Sequence, residues 1–189
     1  MNARPQPEPT YEPDSTNNAV SSTGHAREVT QGAASPEATL VADGPLFSDF
    51  TASVNVEWKS GRDSQESGAA AGLVFRLHNR GYYAVILSRD ALKSHLLAFK
   101  LLKKLHAEPI ARDVLPWTEL PRTNQFLGKN QQKISVQCRG PVIQILFQDT
   151  LVAKVEDDDF KEGMVGMILG GLGRATFRDL VAEEVRPQR

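Results

Sequence analysis

Cysteine is the scarcest informative residue in this sequence: there is one, Cys138, so no internal disulfide is available. It alternates with Ile134 and Val136, which predicts a small buried hydrophobe and not a nucleophile. No apolar run approaches the roughly 20 residues of a membrane span, and the N-terminus has no signal-peptide core. No membrane partner is expected, and the cytoplasm is the default compartment. Charge of one sign is also missing: 22 lysines and arginines stand against 23 acidic residues, a formal charge of −1. That balance gives no support to a nucleic-acid or polyanion partner. The four histidines, His25, His78, His95 and His106, have no metal-ligand spacing. The glycines Gly170, Gly171 and Gly173 are not followed by Lys-Ser/Thr, which excludes a phosphate loop. There is no Gly-x-Ser-x-Gly elbow and no Cys/His pair for nucleophilic catalysis. No metal and no cofactor is expected, and no catalytic residue is assigned.

What is present is β-strand pattern. At 189 residues the chain suffices for one domain of ordinary size. About 70% of its unfolded surface can be buried at that length without a staple. Residues 1–26 are rich in Pro, Glu, Ser, Thr and Asn with almost no large apolar side chain, and read as a disordered tail or linker. The remainder, 27–186, reads as one β-sandwich domain. Glu28–Gln31 and Ala38–Val41 are candidate opening strands. From Phe50 to Trp58 the alternation is clean, with Phe50, Ala52, Val54, Val56 and Trp58 on one face and polar residues on the other. Leu92–Leu105 holds strong helix formers, yet its leucines spread around the whole helical circumference. Period two sets Leu97, Phe99 and Leu101 on one face, so a strand is expected there. A Pro-punctuated loop holding Trp117 follows. Strands then recur at Lys133–Arg139, Ile143–Phe147, Leu151–Val155, Gly163–Leu169 and Ala175–Val185, separated by Gly, Pro and Asp. Strands at intervals of about 8–12 residues predict an all-β fold, a two-sheet antiparallel β-sandwich.

The centre of the pattern is the hairpin from Ala69 to Leu87, broken at Asn79-Arg80-Gly81. A three-residue loop pairing His78 with Tyr82 puts Leu73, Phe75, Leu77, Tyr83, Val85 and Leu87 on a core face. The opposite face then carries Val74, Arg76, His78, Tyr82, Ala84 and Ile86. Arg76, His78 and Tyr82 are therefore the candidate ligand-binding cluster: a guanidinium fork, an imidazole and a phenol suit sugar hydroxyls or a sugar carboxylate. Trp117 is a further candidate, as a platform for a sugar ring. Glu156-Asp157-Asp158-Asp159 lacks the EF-hand pattern and reads as a solvated acidic turn, with calcium binding left open. Lys100, Lys103 and Lys104 read as a solvated edge that discourages edge-to-edge pairing.

Several stretches together resemble a known family. They are Asp49-Phe50 opening a strand, Ala71-Gly72-Leu73-Val74-Phe75-Arg76, Tyr82-Tyr83, Asp157 to Gly163 leading into Val165-Gly166, and Ala175-Thr176-Phe177-Arg178-Asp179-Leu180. In this order they resemble the concanavalin A-like lectin/glucanase superfamily, in the branch of the 3-keto-disaccharide hydrolase (laminin-G-like jelly roll) domains, over about Glu28 to Glu184. The resemblance implies a concanavalin A-like jelly roll, with any sugar on the concave sheet or its rim, and allows secreted or periplasmic location. It does not carry catalysis with it. The glucanase branch places carboxylates at alternate positions of one strand, and retaining chemistry needs two about 5–5.5 Å apart. Glu57 stands alone on its strand beside Trp58 and Lys59. The expectation is a monomeric, non-catalytic carbohydrate-binding or accessory module with a saccharide partner. The alternatives are a glycoside hydrolase resembling the 3-keto-disaccharide hydrolases, or a structural or protein-interaction sandwich with no sugar ligand.

Overall fold

A computed structural model describes residues 19–21, 27–31, 39–42, 44–58, 70–88, 97–121, 131–170 and 173–185. Thirteen strands make up the secondary structure of these residues. They are β1 (Ala19–Ser21), β2 (Arg27–Gln31), β3 (Thr39–Ala42), β4 (Phe50–Trp58), β5 (Ala70–His78), β6 (Gly81–Ser88) and β7 (Ala98–Leu105). After them come β8 (Arg112–Glu119), β9 (Gln131–Arg139), β10 (Val142–Phe147), β11 (Thr150–Glu156), β12 (Met164–Gly170) and β13 (Gly173–Glu184). One antiparallel sheet has the order β1-β13-β4-β9-β10-β11, with β2 also paired to β13. The other runs β3-β12-β5-β6-β7-β8. Among the described residues no helix is long and apolar enough to cross a membrane.

The two sheets bury different amounts of themselves, and their sequences say why. In the first sheet, β4 and β10 alternate: Phe50, Ala52, Val54, Val56, Ile143, Ile145 and Phe147 are buried, and the residues between them are not. In the second sheet the apolar run is continuous, and all eight residues of β6 are buried. One face of it joins the inter-sheet core, where Phe50, Val54, Phe75, Tyr83, Val85, Ile145 and Phe177 meet. Its outer face carries a separate apolar cluster of Val74, Tyr82, Ala84, Ile86, Leu102 and Ile168, with Leu77, Ala111 and Trp117 packed on it. Cys138 lies in the core, and burial pushes its thiol up to about 12, as expected for a small hydrophobe.

The central hairpin departs from the expected register. Its loop has two residues, Asn79 and Arg80, with His78 opposite Gly81, and the pairing shifts between Phe75 and His78. Phe75 faces Tyr83 and Leu73 faces Val85, so the core parity holds up to Phe75. Beyond it a bulge reverses the faces: Arg76 takes a left-handed backbone, φ 49°, and turns inward, while Leu77 joins the outer cluster. A non-glycine residue there costs about 1–2 kcal/mol. The contacts of the Arg76 guanidinium offset that cost.

Other expectations resolve more simply. Leu92–Leu105 is strand over its described part, Ala98–Leu105. Pro116 and Trp117 are not in a loop but in β8, the edge strand of the second sheet. Proline's missing N–H is tolerated at an edge, and the β7–β8 register shifts there. The lysines of β7 consequently lie on an internal strand and each has a partner: Lys100 pairs with Asp113, Lys103 with Asp157 and Asp159, and Lys104 with the Glu108 carbonyl. Ala19–Ser21, within the segment expected to be a tail, pairs with β13. The rest of residues 1–26, Ser60–Gly68 and the Gly171-Leu172 turn lie outside the described residues, as does the side chain of Trp58.

Candidate functional site

A single loop, Asp157 to Gly163, builds half of the open groove at one end of the sandwich. Its run of carboxylates would repel itself if left free. Three neighbouring strands each send one polar side chain to hold it. From β6, the Tyr83 hydroxyl donates to Asp157 Oδ1 and accepts from the Phe160 N–H at 3.3 Å. From β7, Lys103 Nζ donates to Asp157 Oδ2 at 2.6 Å and to Asp159 Oδ2. From β5, Arg76 Nη1 donates to the Phe160 carbonyl at 3.0 Å. The loop's own Asp159 N–H donates to Asp157 Oδ1 at 3.1 Å, closing the turn.

Arg76 reaches further than this loop. Its Nη2 donates to the carbonyls of Gly140, at 2.7 Å, and Ser48, at 3.1 Å. One guanidinium therefore clips the β9–β10 turn, the segment before β4 and the β11–β12 loop together. The Asp49 carboxylate accepts the Gly140 N–H at 2.8 Å on the other side of the same turn. Arg76 is 1% exposed, so it faces no solvent and no ligand surface.

The electrostatics of the loop follow from these contacts. Burial raises the Asp157 carboxyl, but hydrogen bonds from Lys103 and Tyr83 outweigh it and hold the group below the usual carboxylate range. Burial lowers Lys103, and its bonds to Asp157 and Asp159 more than reverse that. Burial, then the Asp157 hydrogen bond, push the Tyr83 phenol well above its ordinary value. Asp157, depressed when folded, contributes stability above about pH 4 that is lost as pH falls through its folded value. Lys103 and Tyr83, raised when folded, contribute stability present below about pH 10 and lost above it. Lys103→Met should thus lower the melting temperature at neutral pH. It should also shrink the drop between pH 7 and pH 3, which thermal melts across pH will show; an unchanged acid profile would contradict the pairing.

The groove itself, about 350 Å³, is lined by Leu46, His78, Asn79, Arg80, Asp159, Lys161, Glu162 and Gly163. His78 packs edge-on against Phe160 with ring centroids 4.8 Å apart, and its Nδ1 accepts the Arg80 N–H at 2.9 Å. In the neutral ring that bond leaves the proton on Nε2. Burial and then the Arg80 charge lower the His78 pKa, which keeps the ring neutral at pH 7. Gly163 is required where it stands: at φ 154°, a Cβ would meet the Arg76 backbone carbon at 2.3 Å.

The four residues expected to bind ligand are thus dispersed to three places. His78 lines the groove. Arg76 is the buried clip behind it. Tyr82 and Trp117 belong to the outer face of the second sheet, where Tyr82 is 8% exposed beside His106 and Lys100 sits 5.3 Å from the Trp117 ring centroid. Burial raises the Tyr82 phenol. The groove also takes in Arg80, Asp159, Lys161 and Glu162, which the hairpin parity does not assign to it. The acidic run is exposed at Glu156, Asp158 and Asp159, as a solvated turn requires, and Lys103, far away along the chain, pairs with both Asp157 and Asp159.

No family model and no curated protein matches the sequence. Solved structures do resemble the fold. The carbohydrate-binding module CBM66 from Bacillus subtilis superposes with a TM-score of 0.64 at 19% identity, over 87% of this chain and 95% of that one. A mutant of the alginate lyase Aly36B in complex with an alginate trisaccharide gives 0.52 at 10% identity, over 85% and 81%. The β-fructofuranosidase of Aspergillus kawachii gives 0.50 at 9% identity, over 90% of this chain but only 28% of the enzyme. The fold, a two-sheet antiparallel jelly-roll β-sandwich, is shared with these proteins.

Proposed function

We propose that this protein is a carbohydrate-binding module and that the saccharide binds in the groove of His78, Asn79, Arg80, Asp159, Lys161 and Glu162. The observation that carries the reading is the groove's make-up. Donors (Arg80, Lys161, Asn79 and His78 Nε2–H) and two carboxylate acceptors, Asp159 and Glu162, line one space within the ~300–1,000 Å³ range of small-ligand sites. Sugar hydroxyls both donate and accept, so such a lining suits them better than an apolar or single-sign ligand. The likeness of the whole sandwich to a module named for carbohydrate binding adds to this. The loop that carries the acceptors is held rigid from beneath, which keeps the ordering cost of binding low.

A hydrolase of the kind its motifs resemble would need an acid facing a base across the same groove. Asp159 and Glu162 both line it. Asp159 is engaged by Lys103, which suits it to accept a hydroxyl rather than to act as an acid. Arg80→Ala should weaken glycan binding about tenfold or more, the usual worth of a hydrogen bond to a charged group. Trp117→Ala should leave binding unchanged, because Trp117 lies on the outer sheet face. Calorimetric titration of both variants separates the two surfaces. Loss of binding in the Trp117 variant alone would move the site to the outer face, with Tyr82 and Trp117 as its residues.

A further inference from the structure

We infer that the groove selects uncharged saccharides over acidic ones; this rests on the groove being a saccharide site. The charges there come in balanced tiers. At the lining, Arg80 and Lys161 stand against Asp159 and Glu162, with His78 neutral. Immediately behind, Lys103 stands against Asp157, to which it is bonded at 2.6 Å. The Arg76 guanidinium and the Asp49 carboxylate both bind Gly140, the first at its carbonyl and the second at its N–H. With Asp158 also exposed on the same loop, the surroundings hold no excess of positive charge, so a uronate or sulfated sugar finds no field to draw it in. Its carboxylate would meet Glu162 and Asp159 as well as Arg80 and Lys161.

Rigidity makes the balance selective. A mobile lysine could swing towards an incoming anion, but Lys103 is already committed to two carboxylates and is largely buried. Tyr83 and the Asp159 N–H hold the Asp157 carboxylate, Arg76 holds the Phe160 carbonyl, and Lys103 holds the Asp159 carboxylate, so the loop presents Asp159 from a fixed backbone. A like charge placed beside a fixed carboxylate is penalised, and the penalty grows where solvent is partly excluded. An uncharged ring, by contrast, meets donors and acceptors already aimed at it. It pays no desolvation of an ion.

The test is calorimetric titration of the full chain with two panels: neutral oligosaccharides (glucan, mannan, xylan, galactan and fructan fragments) and acidic ones (oligogalacturonate and alginate fragments). Each is measured at about 0.1 M and about 1 M salt, over which the screening length falls from about 10 to about 3 Å. Binding confined to the neutral panel, changing less than about twofold with salt, supports the inference. Glu162→Gln provides the positive control, since it leaves the lining with an excess positive charge. It should gain measurable, salt-sensitive uronate binding while its melting curve stays close to wild type. Tighter wild-type binding of the acidic panel overturns the inference and leaves the saccharide reading standing. Failure of the folded Glu162→Gln protein to gain any uronate binding also overturns it. Binding of neither panel removes the saccharide reading and this inference together.

Discussion

Arg76→Met should lower the free energy of unfolding by about 3–5 kcal/mol, the loss typical when one partner of a buried ionic or hydrogen-bonded cluster is removed. The guanidinium satisfies three backbone carbonyls from three separate segments, those of Phe160, Ser48 and Gly140. A hydrogen bond to a charged donor is worth about 1.5–3 kcal/mol, and a buried carbonyl left without one costs about 1–3 kcal/mol. Part of this is returned, because methionine removes a buried charge, while the left-handed strain stays, since methionine carries a Cβ as arginine does. Arg76→Lys should recover little: an ammonium on a flexible stem cannot reproduce a planar fork spanning three acceptors. Chemical denaturation measures both. A loss below about 1 kcal/mol would mean that the carbonyls find water or other partners and that Arg76 is not the clip.

Phe75→Ala should cost a comparable amount, about 3–5 kcal/mol. Phe75 is fully buried at the junction of the two sheets. Its ring lies 6.2 Å from Phe50 of the opposite sheet, edge-on, and 5.6 Å from Tyr83, stacked. The line continues through Phe160, 5.1 Å from Tyr83, to His78 at the groove wall. Truncating Phe75 leaves a cavity under Tyr83, whose hydroxyl anchors the groove loop, so glycan affinity should fall along with stability. Ile110→Ser, at a side chain 76% exposed, serves as the control and should change stability by less than about 0.5 kcal/mol. A near-zero cost for Phe75→Ala would contradict the strand register itself.

How far the sequence could be read depended on the range of the interactions involved. Alternation is local, so Phe50 to Trp58, Lys133 to Arg139 and Ile143 to Phe147 announced their strands and their buried faces. Fold class followed from these, and Phe50, Val54, Phe75, Val85, Ile145 and Phe177 share one core. Arg76 shows where locality ends. Parity gave it an outer face, but three distant carbonyls pull it through a bulge and across to the inside. No pattern within ten residues of it signals that. The same holds for Lys103, which its cluster with Lys100 and Lys104 suggested as a solvated edge and which instead neutralises a carboxylate pair more than 50 residues later in the chain. Pro116 misled in the opposite sense, because an edge strand accepts a proline that a central strand would not. The groove was legible only at His78, since its other walls come from a loop whose shape is fixed by those distant contacts.

The central claim is that this groove binds saccharide, and the direct measurement is a glycan array run with the wild-type chain beside Arg80→Ala. The wild type should be retained on a set of neutral glycans, and Arg80→Ala should lose that retention while melting within a few degrees of wild type. Retention of both proteins alike, or of neither, would contradict the account.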